Sequence, residues 1–376
     1  MLAFANCHSH VFHRALRGRV GGDSAHQGRP RPGTPATFWS WRDEMYAIAA
    51  VLDPDLLHRL GRATYAEMRL AGIGVVGEFH YLHHQPDGTP YDDANVMGDA
   101  LIEAAREVGL RICLLDTCYT QAEGVQRRFD DGDAERWATR VRDLAARHAG
   151  DADVVIGAAI HSVRAVPREQ LTTVAQALPD APLHVHVSEQ PAENEACLAA
   201  TGLTPVAVLA EAGVWTPRTT AVHATHLTDD DVRLLGDARA FVCFCPTTEA
   251  DLADGIGPGV ALREAGARLT LGSDGHTVID MFAEARSVEM HERLVSGRRG
   301  AWTADQLWDA ATTTGLASLG FDAGGTIELT SSVRTAGSDE PLWSATAADV
   351  MAPPDLDPAD VAHDLTSAID ECWSRT

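Results

Sequence analysis

Residues 6–18 read NCHSHVFHRALRG and carry three imidazoles: His8, His10 and His13. His8 and His10 are two apart, so on an extended strand both rings project to the same side. Such a pair supplies part of a donor set for a divalent ion, although it also occurs on ordinary exposed strands. Three further groups close apolar stretches downstream: His186 in LHVHVSEQ, His223 in TTAVHATH and Asp274 in LGSDGH. His8, His10, His186 and Asp274 together offer three nitrogens and one oxygen, which suits Zn²⁺ or another divalent first-row metal. Glu189, three residues beyond His186, and His223 can face such an ion without binding it and carry protons. Taken singly, His186 reads as a buried core histidine, Asp274 as a helix cap and Glu189 as an exposed charge at a helix start.

These groups act together only if the fold gathers them. Apolar runs rich in Val, Ile, Leu and Ala recur at 3–6, 73–79, 111–116, 153–160, 183–187, 219–224, 240–245 and 268–274. Near-continuous apolar runs of this length predict strands buried on both faces, hence a parallel sheet. Helical patterns lie between them, at 53–72 and 92–109, then near 133–148, 167–178, 205–212, 228–235, 258–266, 281–296 and 303–318. The first opens on a capping Asp53 with Pro54 at the first helical position and stops at Gly72. Strand and helix thus alternate about eight times, which predicts an α/β fold of the (β/α)₈ TIM-barrel type. A doubly wound sheet would announce a glycine-rich phosphate loop, and the sequence has none. The residues closing each strand read CHSH, EFHYLHH, DTCY, HSVR, HVSEQ, HATH, CPTTE and SDGH. A barrel brings those ends to one face, where active sites sit.

Composition narrows the function classes. The 376 residues carry a formal net charge of −24, which makes nucleic acid and anionic membrane surfaces poor partners. No apolar run is long enough to span a bilayer and no signal peptide is visible, so a cytoplasmic location is expected. The seven cysteines lack paired spacings and are expected to be reduced and mostly buried, Cys243 and Cys245 among them. No lysine occurs, so all 30 basic residues are arginine and Schiff-base chemistry is excluded.

The stretches HSHVFHRALRG, FWSWRDEMY, GEFHYLHHQPDGTPY, HSVRAV, HVHVSEQ, HATHLT, CPTTEADLADG and LGSDGH, in this order over residues 6 to 276, resemble the amidohydrolase superfamily. Within it they resemble the formimidoylglutamate deiminases of histidine degradation. The resemblance implies one divalent metal, Zn²⁺, on His8, His10, His186 and Asp274, with Glu189, His223 and Asp274 catalytic. It also implies substrate contacts at Arg42, Tyr81, His161 and Arg164. The substrate would be a small acidic amidine, N-formimino-L-glutamate, hydrolysed to N-formyl-L-glutamate and ammonia. Two arginines suit its two carboxylates, since guanidinium forks bind carboxylates bidentately. A bound divalent ion would lower the pKa of its water from about 15.7 to about 7. Asp274 would take the proton, Glu189 would deliver one to the departing nitrogen, and His223 would stabilise the tetrahedral intermediate. Binuclear relatives often bridge two metals with a carboxylated lysine, and a chain without lysine favours one metal.

Two departures from the family pattern stand out. His13 occupies a position where glutamine is usual, and a cationic His13 would be able to bind a substrate carboxylate. Relatives also flank the barrel with a small β-sandwich, whereas here the barrel is expected over 1–320, followed by a short segment, 321–376, ending in a helix near 358–373. The sandwich is therefore expected to be absent or reduced, which leaves a flank to be covered in a homodimer or to lower stability. His83, His84 and His276 read as loop, mouth or capping residues, and the tryptophans of FWSWRDEMY as packing that positions Arg42. Two other functions fit less of the sequence: an aminohydrolase of a nucleobase or other amidine, and a non-catalytic metal-binding barrel.

Overall fold

The computed structural model describes residues 1–20, 38–331, 333 and 341–376. Its strands are β1 (Phe4–Ser9), β2 (Ile73–His80), β3 (Arg111–Cys118), β4 (Val154–Ile160), β5 (Leu183–Val187), β6 (Thr219–His223), β7 (Phe241–Phe244) and β8 (Arg268–Leu271). Neighbours from β1 to β8 pair in sequence order, every pair parallel. A parallel bridge between Ser9 and Asp274 joins the last strand's loop to the first. This is the (β/α)₈ barrel that the apolar runs imply. The strands are almost wholly buried because barrel interior and helix layer exclude water from both faces.

The helices of the first half are α1 (Phe38–Val51), α2 (Pro54–Leu70), α3 (Val96–Glu107), α4 (Ala134–Arg147), α5 (Leu171–Ala177), α6 (Pro191–Thr201) and α7 (Pro205–Glu211). The second half adds α8 (Asp229–Asp237), α9 (Pro246–Asp251), α10 (Gly259–Ala265), α11 (Met281–Ser296), α12 (Ala304–Ala311), α13 (Thr313–Ser318) and a C-terminal helix, Pro358–Arg375. α2 shows why these segments fold as they do. Asp53 accepts a hydrogen bond from the Leu56 amide, Pro54 starts the helix, and Leu56, Leu57, Leu60, Thr64 and Met68 bury one face. Each fully buried leucine contributes roughly 1.5–3 kcal/mol.

Differences from the sequence reading are local. α1, α6 and α9 are helices that the apolar pattern does not announce. The helix expected at 303–318 is two, broken at Thr312 (φ −131°, ψ −93°). β8 ends at Leu271, so Asp274 lies in the following loop rather than closing the strand.

Among the described residues the barrel is the only sheet, apart from isolated antiparallel bridges, Leu2 to Thr326 and Leu329 to Val350. The C-terminal helix packs on α2. Its ion pairs, Arg59–Glu371 at 2.7 Å and Arg62–Asp364 at 2.9 Å, are exposed and worth about 0–1 kcal/mol each. Burial of Val361, Leu365, Ala368, Cys372 and Trp373 therefore dominates that contact, and Trp373 also donates from Nε1 to the Ala15 carbonyl at 2.7 Å.

Candidate active site

Strained backbone collects at the C-terminal end of the barrel. Ser188, His223, Ala224, Asp274 and His276 all have positive φ, between 40° and 66°, a region that costs residues other than glycine free energy. They stand at or just beyond the ends of β5, β6 and β8, and two of them are proposed site residues. Such strain persists only where surrounding structure over-determines it.

These strand ends surround a cavity of about 250 Å³. His10, His186, Glu189, His223 and Asp274 line it, and so do His13, Arg42, Tyr81, His161 and Arg164. His8 is wholly buried and joins the group from β1. His186 Nε2 lies 3.0 Å from His8 Nε2 and 3.3 Å from His10 Nε2. Asp274 Oδ1 is 3.4 Å from each of His8 Nε2 and His10 Nε2.

The donor set itself shows whether a cation fits. His10 donates from Nδ1 to the Phe79 carbonyl at 2.9 Å, and His186 from Nδ1 to the His161 carbonyl at 3.0 Å. With each ring's proton committed there, both Nε2 atoms turn lone pairs toward each other across 3.3 Å. Burial, the largest influence, pushes His8 down to about 3 and lowers His10 and His186 as well, so protonation does not relieve this arrangement. A divalent ion does. Carbonyl anchoring of Nδ1 is also the usual support for metal-ligating histidines.

Further titratable groups sit beside the donors. Burial by itself would lower His223, but Glu189, Glu249 and Asp274 hold it well above the ordinary imidazole value. Its Nε2 is 3.9 Å from Glu189 Oε1 and 3.8 Å from Asp274 Oδ2, while Nδ1 donates to Glu249 Oε1 at 3.4 Å. Burial raises Glu189, with His223 and Arg164 opposing. Burial would also raise Asp274, yet the neighbouring histidines hold it well below the usual carboxylate range.

The other wall is aromatic and cationic. His13 Nε2 is hydrogen-bonded to the Tyr81 hydroxyl at 3.2 Å, and its ring meets Trp41 edge-on at 5.1 Å. Burial first, then His10, keeps His13 well below the usual imidazole value, which favours its neutral form in this cavity. The His161 ring packs on Tyr119 at 4.7 Å. Arg42, on α1, lies over the Tyr46 ring at 5.5 Å, and Trp41 lines the cavity beside it. Arg164 Nε is buried without a hydrogen-bond partner among the described residues.

Residues 1–329 match the amidohydrolase family model.

The chain belongs to the amidohydrolase family.

It is therefore an enzyme of a metal-dependent family that acts on C–N bonds. This amidohydrolase is 34% identical over 337 residues to a formimidoylglutamate deiminase of Pseudomonas aeruginosa, an alignment covering 85% of this chain and 72% of that one. It is 32% identical over 271 residues to an 8-oxoguanine deaminase of the same species, covering 69% and 59%. Among solved structures, an amidohydrolase from Brucella melitensis superposes with a TM-score of 0.88 at 30% identity, covering 99% of this chain and 89% of that one. An adenosine deaminase from Xanthomonas campestris with bound zinc superposes at 0.83 and 21% identity, covering 100% and 86%, a likeness that shows the fold alone.

The sequence reading overlooked Glu249, on α9. Its carboxylate accepts from the Cys245 amide at 2.8 Å as well as from His223 Nδ1, so it orients the His223 ring with Nε2 toward Glu189 and Asp274. The glutamate stands in the quoted motif CPTTE, where it reads as an ordinary first-turn acid. Conversely, His83 and His84 do not reach the cavity: His83 donates from Nε2 to the Thr117 carbonyl at 2.9 Å, and His84 lies 3.3 Å from Asp131. Among the described residues no helix is long and apolar enough to cross a membrane.

Proposed function

We propose that this amidohydrolase hydrolyses the C=N bond of N-formimino-L-glutamate, giving N-formyl-L-glutamate and ammonia. The observation that carries this reading is that Arg42 and Arg164 share one small cavity with the three-histidine, one-aspartate donor set, in a chain of net charge −24. Two guanidinium groups there reverse the local field and suit two carboxylates. The cavity, about 250 Å³, is at or below the small end of the roughly 300–1,000 Å³ range of ligand pockets, which favours a compact acyclic substrate.

His8, His10, His186 and Asp274 would hold one divalent ion, Zn²⁺, which when bound supplies Lewis acidity. Arg42 and Arg164 bind the substrate carboxylates, and Tyr81, His13 and His161 orient its chain. Asp274, held ionised, takes a proton from the water that adds to the formimino carbon. Glu189, raised by burial, delivers a proton to the nitrogen that departs as ammonia. Its charged form also complements the cationic formimino group before attack. His223, kept cationic by the carboxylates around it, stabilises negative charge on the oxygen of the tetrahedral intermediate. The same reading includes a cytoplasmic location, which suits seven buried free cysteines.

Purine deamination is the second reading, supported by the resemblance to 8-oxoguanine deaminase. Product analysis on zinc-loaded protein separates the two. Ammonia with N-formylglutamate from formiminoglutamate, and no conversion of 8-oxoguanine or 5-methylthioadenosine, is the expected result. Conversion of a purine at the higher kcat/KM would replace the first reading with the second.

A further inference from the structure

Three of the four proposed donors come from the seam that closes the barrel, His8 on β1, His10 just beyond it and Asp274 in the loop after β8, while His186 comes from β5. Other neighbouring strands are joined by ladders of several pairs, but among the described residues β1 and β8 are joined by the single Ser9–Asp274 bridge. Two backbone hydrogen bonds complete it, Asp274 N to His8 O at 2.9 Å and His10 N to Asp274 O at 3.3 Å. Approach at this seam is close: a Cβ on Gly272 would lie 2.7 Å from the His8 Cβ.

Side chains take over where the ladder ends. His276 is fully buried, with Nδ1 at 2.9 Å from Ser273 Oγ and Nε2 at 3.0 Å from Ser9 Oγ. Ser9 stands between the two histidine donors in sequence, and Ser273 immediately precedes Asp274. Both serines are anchored further. Ser9 donates to Glu78 Oε2 at 2.5 Å, and Asn6 donates to Ser273 Oγ at 2.7 Å while accepting from the Ser273 amide at 2.9 Å. A neutral imidazole has one donor and one acceptor, and a hydroxyl serves as either, so the bridge is satisfied at both ends. His276 has φ of +56°, a strained value that these anchors over-determine.

We propose that His276 is a positioning residue: by bridging Ser9 and Ser273 it holds β1 and the β8 loop in the register that brings His8 and His10 to Asp274 around one divalent ion. This rests on the metal reading above. Without the bridge, the seam keeps its backbone contacts, the Asn6–Ser273 pair and a 3.4 Å bond from Arg14 Nη1 to the His276 carbonyl, and the ion is held less tightly.

The test is the apparent zinc affinity of the full chain, measured by competition with a chromophoric chelator, together with the thermal midpoint of the metal-free protein. Removing a group that orients metal ligands typically costs about 10–100-fold in affinity, and that loss is expected for His276→Phe. His276→Gln, whose amide offers a donor and an acceptor, should recover most of it. Trp137→Phe, which removes a buried hydrogen bond from α4 to Asp116, should lower the midpoint and leave zinc affinity unchanged. If His276→Phe does not fold, Ser273→Ala removes one arm of the bridge and should weaken zinc binding by about fivefold. Wild-type affinity in the Phe or Ala variant, or a Gln variant as weak as the Phe variant, would overturn the proposal. Wild-type protein that binds no zinc would overturn it together with the metal reading.

Discussion

Two buried polar clusters in this barrel are built to opposite rules. Behind β3, Arg140 bonds Asp116 at 2.7 and 2.8 Å and Asp131 at 2.8 and 3.0 Å, while Trp137 donates to Asp116 at 2.8 Å. One cation faces two carboxylates, and the cluster closes on itself. At the strand ends, imidazole lone pairs face one another and Arg164 keeps a buried donor without a partner among the described residues. A closed network holds structure. An open one stores free energy that a ligand can release, and only the second kind marks a site.

Breaking the open cluster should cost activity and spare the fold. Glu189→Gln and Asp274→Asn are each expected to lower kcat by about 10²–10⁴-fold, with a circular dichroism spectrum like that of the parent. Breaking the closed cluster should do the reverse. Arg140→Met leaves two buried carboxylates uncompensated and is expected to cost about 3–5 kcal/mol in denaturant unfolding while the remaining folded protein keeps its zinc affinity. Arg164→Met should raise KM for a diacid substrate by roughly 10–100-fold, the worth of a charge-assisted hydrogen bond, with a smaller change on an uncharged amidine. Equal losses on both substrates would remove the carboxylate from the role of Arg164.

Glu284, on α11, sharpens the contrast most finely, because neutral donors from Thr247 serve it and, among the described residues, no cation does. Burial pushes it up to about 8 despite those bonds. The folded chain therefore keeps this proton where the unfolded chain has lost it. Its stability contribution is full below about pH 4.5 and is lost as pH rises through about 8, by at most about 1.4 kcal/mol per pH unit. Glu284→Gln should flatten the fall in thermal midpoint between about pH 5 and about pH 8, and an unchanged profile would assign that fall to other groups.

Strands and the residues that cluster at their ends were legible because both follow from short local patterns. Apolar runs mark doubly buried strands, and HxH, HVHVSE and SDGH stand at their ends. α6 was not legible: PAENEACLAAT sets polar and small residues around the whole helix, and only Glu193 and Cys197 are buried. The roles of Glu249 and His276 were hidden for a different reason. Each acts through partners far away in sequence, His223 for one and Ser9 for the other, which only the closed barrel brings near. His13 shows a third limit, since residue type allows a cation there and only the folded structure shows the burial that favours its neutral form.

The most direct measurement is ammonia release from N-formimino-L-glutamate by chelator-stripped protein titrated with zinc. Activity should rise in proportion to added zinc and break at one equivalent per chain. Full activity in the stripped protein, or none with one equivalent bound, would contradict the account.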